Sequence, residues 1–236
     1  MATSLVVLHG WGSNSQRWQK VKELLESKGI SAIIYDLPGF GYQKEPDRPF
    51  NLDDYINWVE KNIFSKVDGD FILLGHSFGG RIAIKYCGTR DDKRIKKLIL
   101  VSSPVRPKHK PFYIDLILKV AKKLSFIPFF DKLRILFYRK ILRVEDYIKL
   151  KGVMKETFKN IVSEDISIWL EKIKVKTLII WGDKDKIVSP KLGYELKERI
   201  NDSELKMIKG CGHAPYLTHP QEFAEIIYSF IKGKKY

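Results

Sequence analysis

The stretch Gly75-His76-Ser77-Phe78-Gly79-Gly80 decides the fold. It follows the apolar run Phe71–Leu74 and precedes the helical pattern Phe78–Cys87, so a serine stands on a turn between strand and helix. So tight a turn leaves no room for side chains two positions either side of the serine, which accounts for Gly75 and Gly79. The Ser77 hydroxyl would stand above the sheet edge with a helix N-terminus behind it. A bare G-x-S-x-G is weak, arising by chance in roughly one chain of this length in ten. Its place after a strand, and the partners further along the chain, give it weight.

Outward from this turn, short apolar runs alternate with longer helical patterns, which predicts βα units and a parallel sheet. The strand candidates are Leu5–Leu8, Ser31–Tyr35, Phe71–Leu74, Leu98–Ser102, Thr177–Trp181 and Glu204–Ile208. Each is read as apolar on both faces, as strands covered by helices on two sides should be. Helices are expected over Ser15–Ser27 with Ser15 as cap and Gly29 just beyond its end, and over Leu52–Phe64 after Asn51. Two more are expected over Pro190–Ile200 after Ser189 and over Pro220–Ile231. Between Val105 and Asp165 the alternation stops. Phe112–Leu124 and Pro128–Arg143 there carry amphipathic helical periodicity. This span is read as a helical cap (105–165) inserted into a core of residues 1–104 and 166–236.

A nucleophilic serine needs a base, and the base needs an orienting acid. After Thr177–Trp181 comes Gly182-Asp183-Lys184-Asp185, and after Glu204–Ile208 comes Gly210-Cys211-Gly212-His213. Both groups fall on loops beyond a strand's C-terminal end, where sites assemble in parallel α/β sheets. The chain order Ser77, acid, His213 is one that such folds use. An ester carbonyl under attack also needs donors for its oxygen. One is the backbone N–H of Phe78, and the second should come from the loop after the first strand, His9-Gly10-Trp11-Gly12.

The segments "HGWG", "DLPGFG" (Asp36–Gly41), "GHSFGG", "WGDKDKIVSP" (Trp181–Pro190) and "GCGHAPYLTHP" (Gly210–Pro220) resemble those of the α/β-hydrolases in content and order. They are most similar to small cytosolic esterases, the carboxylesterase of biotin synthesis among them, and to carbon–carbon bond hydrolases. The resemblance covers nearly everything outside the insert. It implies Ser77 as nucleophile, His213 as base and then acid, and Asp185 as the carboxylate, third after the strand-ending Gly182. Asp183 is then a turn residue. It implies the Trp11 N–H as the second oxyanion donor. It implies no metal and no organic cofactor. Serine at the elbow sets the chain apart from the dehalogenase and epoxide hydrolase branches, which use Asp there. The family's N-terminal antiparallel hairpin is not seen before Leu5, so a mostly parallel sheet of about six strands is expected, with an edge to cover.

His9, His76 and Arg81 are candidate pocket residues. His9 also reads as a brace for the oxyanion loop and His76 as support for the elbow. His219 and His109 read as structural and solvated, and Cys211 lacks an elbow. The leading activity is hydrolysis of a small carboxylic ester through an acyl-enzyme. Rivals are carbon–carbon bond cleavage, with Arg81 holding a substrate carboxylate, and lipid hydrolysis at an anionic surface. A hydrolase fold kept as a ligand receptor is the non-enzyme rival.

The chain's charge of +15 calls for a nucleic-acid reading, but only 10 of its 43 basic residues are Arg and no nucleic-acid-binding motif occurs. The insert, with 15 Lys/Arg against 7 Asp/Glu, carries about half of the excess. The charge is therefore read as a lysine-rich surface, with a membrane surface as the minor alternative and no nucleic-acid partner. Two cysteines without metal spacing, and a start without a basic n-region, predict a cytoplasmic protein. A monomer or homodimer is expected, with no residue pattern that decides between them.

Overall fold

A computed structural model of the chain describes residues 3–107 and 151–234. Its centre is a sheet of six described strands: β1 (Thr3–Leu8), β2 (Ile30–Ile34), β3 (Phe71–His76), β4 (Ile95–Val101), β5 (Lys176–Gly182) and β6 (Ser203–Ile208). Their order is β2-β1-β3-β4-β5-β6, and every neighbouring pair is parallel. The chain runs outward from β1 to β2, then returns past β1 to β3. That reversal makes the C-terminal ends of β1 and β3 the switch point, where an open α/β sheet leaves a crevice. Leu8 pairs with Gly75 at this place, so the HGWG loop and the Ser77 turn leave the sheet side by side.

The helices are α1 (Gln19–Glu26), α2 (Leu52–Asn62), α3 (Phe78–Thr89), α4 (Gly152–Ser163), α5 (Lys191–Arg199), α6 (Pro215–Thr218) and α7 (Pro220–Lys232). Alternate strand residues feed two cores. Leu5, Val7, Ile72, Leu74, Ile99 and Val101 pack with Trp18, Val21 and Leu25 near α1 and with Phe223 and Ile227 of α7. Val6, Leu8, Leu73, Leu98 and Leu100 pack with Tyr55 and Val59 of α2 and Ile82 of α3. Burial of each such side chain stabilises the fold by about 1.5–3 kcal/mol, which outweighs any local propensity.

Several boundaries differ from the sequence reading, for local reasons. The first helix opens as a 3-10 turn over Ser15–Trp18, and its cap is Asn14, whose side chain accepts from the Arg17 amide. Ser15 is the first residue of that turn rather than its cap, and its amide donates to Asp36 Oδ1 at 2.6 Å. Helix α2 stops at Asn62, and a 3-10 turn follows at Phe64–Lys66. Strand β6 is not apolar on both faces: it forms a sheet edge, and only Ile208 is buried along it. Its Glu204 and Lys206 are the kind of charged residues that discourage further strand pairing.

Of the span 105–165, residues 105–107 and 151–165 are described, and the periodic segments Phe112–Leu124 and Pro128–Arg143, with His109, lie outside them. The two ends of the span meet, Ile166 N donating to Val105 O at 2.9 Å. Helix α4 rests on the loop before α2: Phe50 N donates to Thr157 Oγ1 at 2.9 Å and Asn160 Nδ2 to Phe50 O at 3.3 Å. No helix among the described residues is long and apolar enough to cross a membrane.

Candidate active site

Ser77 joins β3 directly to α3 with φ 52° and ψ −109°, a conformation that costs a non-glycine residue about 1–3 kcal/mol. The surroundings enforce it. Ser77 N donates to Val101 O at 2.8 Å, and Arg81 N donates to Ser77 O at 3.2 Å. A Cβ on Gly75 would lie 2.5 Å from Gly79 O, and one on Gly79 would lie 2.0 Å from Leu8 O. The glycines thus serve helix–strand contact across the turn and against β1.

The Ser77 Oγ lies 3.0 Å from His213 Nε2, and His213 Nδ1 lies 2.7 Å from Asp185 Oδ2. A carboxylate accepts only, so Nδ1 carries the hydrogen and Nε2 is left to accept from the serine hydroxyl. Asp185 is nearly buried, and its Oδ1 accepts from the amides of Ile187 and Val188 at 2.8 and 2.9 Å. Burial pushes this carboxyl upward, but the His213 hydrogen bond and charge, with the two amides, bring it below the usual range. Asp183 does not reach His213. Its Oδ1 accepts from Gly210 N at 2.7 Å, tying the acid loop to the histidine loop rather than bonding within its own turn.

The HGWG loop packs against the serine: a Cβ on Gly10 would fall 3.3 Å from Ser77 Cβ. Phe78 opens α3, where amides have no intrahelical acceptor. The Trp11 indole meets Phe40, Phe78 and Phe158 edge-on, with centroids 4.8, 5.5 and 5.0 Å away. These rings form an apolar wall beside the turn. Phe158, on α4, had no distinguishing sequence signal, because its helical spacing reads as ordinary packing.

The three candidate pocket residues lie elsewhere. His9 is fully buried; its Nδ1 donates to Gly10 O at 2.8 Å and its Nε2 accepts from Leu37 N at 3.0 Å. Both nitrogens are engaged, so it braces the loop. Burial lowers its pKa, and it stays neutral. His76 is buried, packed against the rings of Trp18, Tyr216 and His213 with centroids 6.1, 5.0 and 5.0 Å away. Arg81 is not a free pocket cation: Nη1 donates to Pro104 O and Nη2 to Glu164 O, the carbonyls flanking the insert's two ends. Lys85, one turn on, pairs with Glu164 and Asp53 at 2.7 Å each. Cys211 is buried with its thiol pushed up by that burial, and its sulfur contacts Gly212 O and Thr218 Oγ1. His219 Nδ1 bonds Thr218 Oγ1 at an exposed position. Asp36, in "DLPGFG", accepts from Ser15 N and Tyr42 N and so shapes its loop.

A sheet with this switch point and this strand–serine–helix turn defines an α/β-hydrolase fold. A sequence model of the alpha/beta hydrolase family matches residues 5–226, and the chain belongs to that family. Among curated relatives, the pimeloyl-[acyl-carrier protein] methyl ester esterase of Wigglesworthia glossinidia brevipalpis is 30% identical over 260 residues, covering 98% of this chain and 94% of that protein. The AB hydrolase superfamily protein YisY of Bacillus subtilis is 29% identical, covering 96% and 90%. Of solved structures, an esterase from Exiguobacterium antarcticum superposes with a TM-score of 0.76 at 24% identity, covering 98% of this chain and 92% of that one. At that identity the likeness speaks for the fold alone.

Proposed function

We propose that the protein is a serine hydrolase of small carboxylic esters acting through an acyl-enzyme on Ser77. The observation that carries this reading is the unbroken chain Ser77 Oγ–His213 Nε2–His213 Nδ1–Asp185 Oδ2, with bonds of 3.0 and 2.7 Å. His213 takes the hydroxyl proton as Ser77 attacks the ester carbonyl, and Asp185 stabilises the imidazolium. The carbonyl oxygen, now negative, is held by the Phe78 and Trp11 amides. His213 returns the proton to the leaving alcohol. A water, activated by the same imidazole, then releases the acid and restores the serine. The aromatic wall of Trp11, Phe40, Phe78 and Phe158 suits an apolar acyl or alcohol group. Residues 105–165 are assigned as the cap, supported by the paired neck at Val105 and Ile166. The names of curated relatives support ester over other bonds.

Carbon–carbon cleavage of a keto-acid is the weaker reading. The cation considered for its carboxylate, Arg81, is committed to two backbone carbonyls. The test is hydrolysis of short-chain aryl esters and labelling by a fluorophosphonate. Turnover and labelling are expected in the native chain and lost in Ser77→Ala; retained turnover in that variant defeats the reading.

A further inference from the structure

His76 and Ser77 are consecutive, and both bond to His213. Ser77 reaches the ring, while His76 Nε2 lies 2.9 Å from the main-chain carbonyl oxygen of His213. We propose that His76 is a positioning residue that fixes the main chain of His213 relative to the serine, and so holds the imidazole at hydrogen-bonding distance from Oγ. The proposal rests on the reading of Ser77 and His213 as nucleophile and base.

A carbonyl only accepts, so the His76 hydrogen sits on Nε2 and Nδ1 is left as a bare acceptor. That Nδ1 is buried and has no partner among the described residues; a Cβ on Gly10 would fall 2.7 Å from it. A histidine kept only for packing would be expected to satisfy both nitrogens, as His9 does. His76 instead directs its one bond to the backbone of the proposed base. Two aromatic rings hold the His76 ring in place. Tyr216 stands edge-on at 5.0 Å, Trp18 lies 6.1 Å away, and Tyr216 is itself stacked on Trp18 at 4.0 Å and bonded to Ser13 Oγ. Burial holds the His76 pKa down at about 3, so the ring stays neutral and does not compete for the proton that His213 moves.

The geometry makes a closed frame. The peptide between residues 76 and 77 is rigid, and its two side chains grip one histidine at its main chain and at its ring tip. The Asp185 and Ser77 contacts orient the ring, and the loop before His213 is tied at Gly210 by Asp183 Oδ1 and at Cys211 by the Lys184 amide. The His76 bond adds a tie at the main chain of His213 itself. Displacement of about 1 Å at a reacting group can cost on the order of 100-fold in rate.

The experiment compares His76→Gln, His76→Asn and His76→Leu with Ser77→Ala on an aryl acetate, with fluorophosphonate labelling rates and melting curves. Glutamine can place an amide nitrogen near the Nε2 position, whereas asparagine is too short and leucine has no donor. His76→Gln is expected to recover kcat to within about threefold of native, while Asn and Leu lose about tenfold or more in kcat and labelling with KM little changed. Should the Leu variant fail to fold, the Gln–Asn comparison decides alone. Native kcat in a folded Asn variant, a Gln variant as slow as Asn, or a loss wholly in KM overturns the proposal. Turnover surviving in Ser77→Ala overturns the nucleophile reading itself. A dead Ser77→Ala beside a fully active His76→Asn overturns only the role given to His76.

Discussion

Asp185 divides its carboxylate between two duties: Oδ2 bonds His213 Nδ1 at 2.7 Å, while Oδ1 receives the amides of Ile187 and Val188. Charge and loop support can therefore be removed separately. Asp185→Asn keeps an oxygen for the amides but presents a neutral group to His213 and permits the wrong tautomer. It should fold normally and lose about 10³- to 10⁴-fold in kcat. Asp185→Ala should in addition lose about 1–3 kcal/mol of stability. Asp183→Ala, which frees only the Gly210 amide, should keep kcat within about tenfold and lose about 1 kcal/mol. Aryl-ester kinetics and denaturation of the three variants decide; a greater kinetic loss at Asp183 would exchange the two roles.

The strain at Ser77 is separable from its chemistry. Glycine adopts φ 52° without the Cβ penalty, whereas alanine keeps it. Ser77→Gly and Ser77→Ala should both be inactive, but the glycine variant should be the more stable by about 1 kcal/mol, or about 2–4 °C in melting temperature. Equal melting temperatures would mean that the turn is not strained.

Crowding behind the turn leads to a contrasting pair. A methyl on Gly79 would meet the Leu8 carbonyl, which is backbone of a central strand and cannot move aside. Gly79→Ala should cost more than about 4 kcal/mol and yield little folded protein. Gly12 has φ +69° but open space around it, so Gly12→Ala should cost only about 1 kcal/mol. Soluble expression and urea unfolding distinguish the two.

Two buried neutral histidines make stability depend on pH. Burial, reinforced by the charge of His213, lowers His76 from 6.5 to about 3, and burial lowers His9 as well. The unfolded chain binds these protons near 6.5 and the folded chain does not. Stability is therefore complete above that pH and falls as pH drops toward the folded value. Between pH 7 and pH 5, His76 alone should remove about 2 kcal/mol. Asp185 and Asp36 shift in the same sense but matter lower, near the ordinary carboxyl range. Urea unfolding at both pH values should show a loss about 2 kcal/mol smaller in His76→Gln than in the native chain. An identical loss in both would mean that His76 titrates normally.

The parallel βα character and the residues meeting at the sheet's C-terminal edge were legible because strand-ending motifs carry side chains with distinctive chemistry, whereas the order of the strands was not. Ser77, Asp185 and His213 each follow an apolar run, and the structure brings them within hydrogen-bond reach. What stayed hidden depends on main-chain acceptors, which leave no mark in residue type. The bond from His76 to His213 O spans 137 residues and ends on a carbonyl that any amino acid could supply. Ser15 reads from sequence as the first helix's cap, whereas the cap is its neighbour Asn14, a residue of similar capping preference that sequence alone does not separate from it. Strand β6 is read from sequence as apolar on both faces although Glu204 and Lys206 alternate with Leu205 and Met207, a pattern that suits the sheet edge it occupies.

Arg81 is the residue whose role changed most between sequence and structure. Its place in the first turns of α3 suggested a cation facing substrate, yet its guanidinium is buried and bridges Pro104 O and Glu164 O. Burial lowers its pKa to about 10, still far above neutrality, so a permanent charge is sealed at the neck of the 105–165 span. Arg81→Met leaves both carbonyls without this donor and should cost about 2–4 kcal/mol. Arg81→Lys has one ammonium for two carbonyls and should recover only part of that loss. The loss of activity should fall alike on neutral esters and on esters that carry a free carboxylate, because no substrate charge meets this group. Steady-state kinetics on such a pair of esters, beside urea unfolding, provide the measurement. A KM increase confined to the carboxylate-bearing ester, in a variant of native stability, would return Arg81 to the pocket and revive carbon–carbon cleavage as the activity.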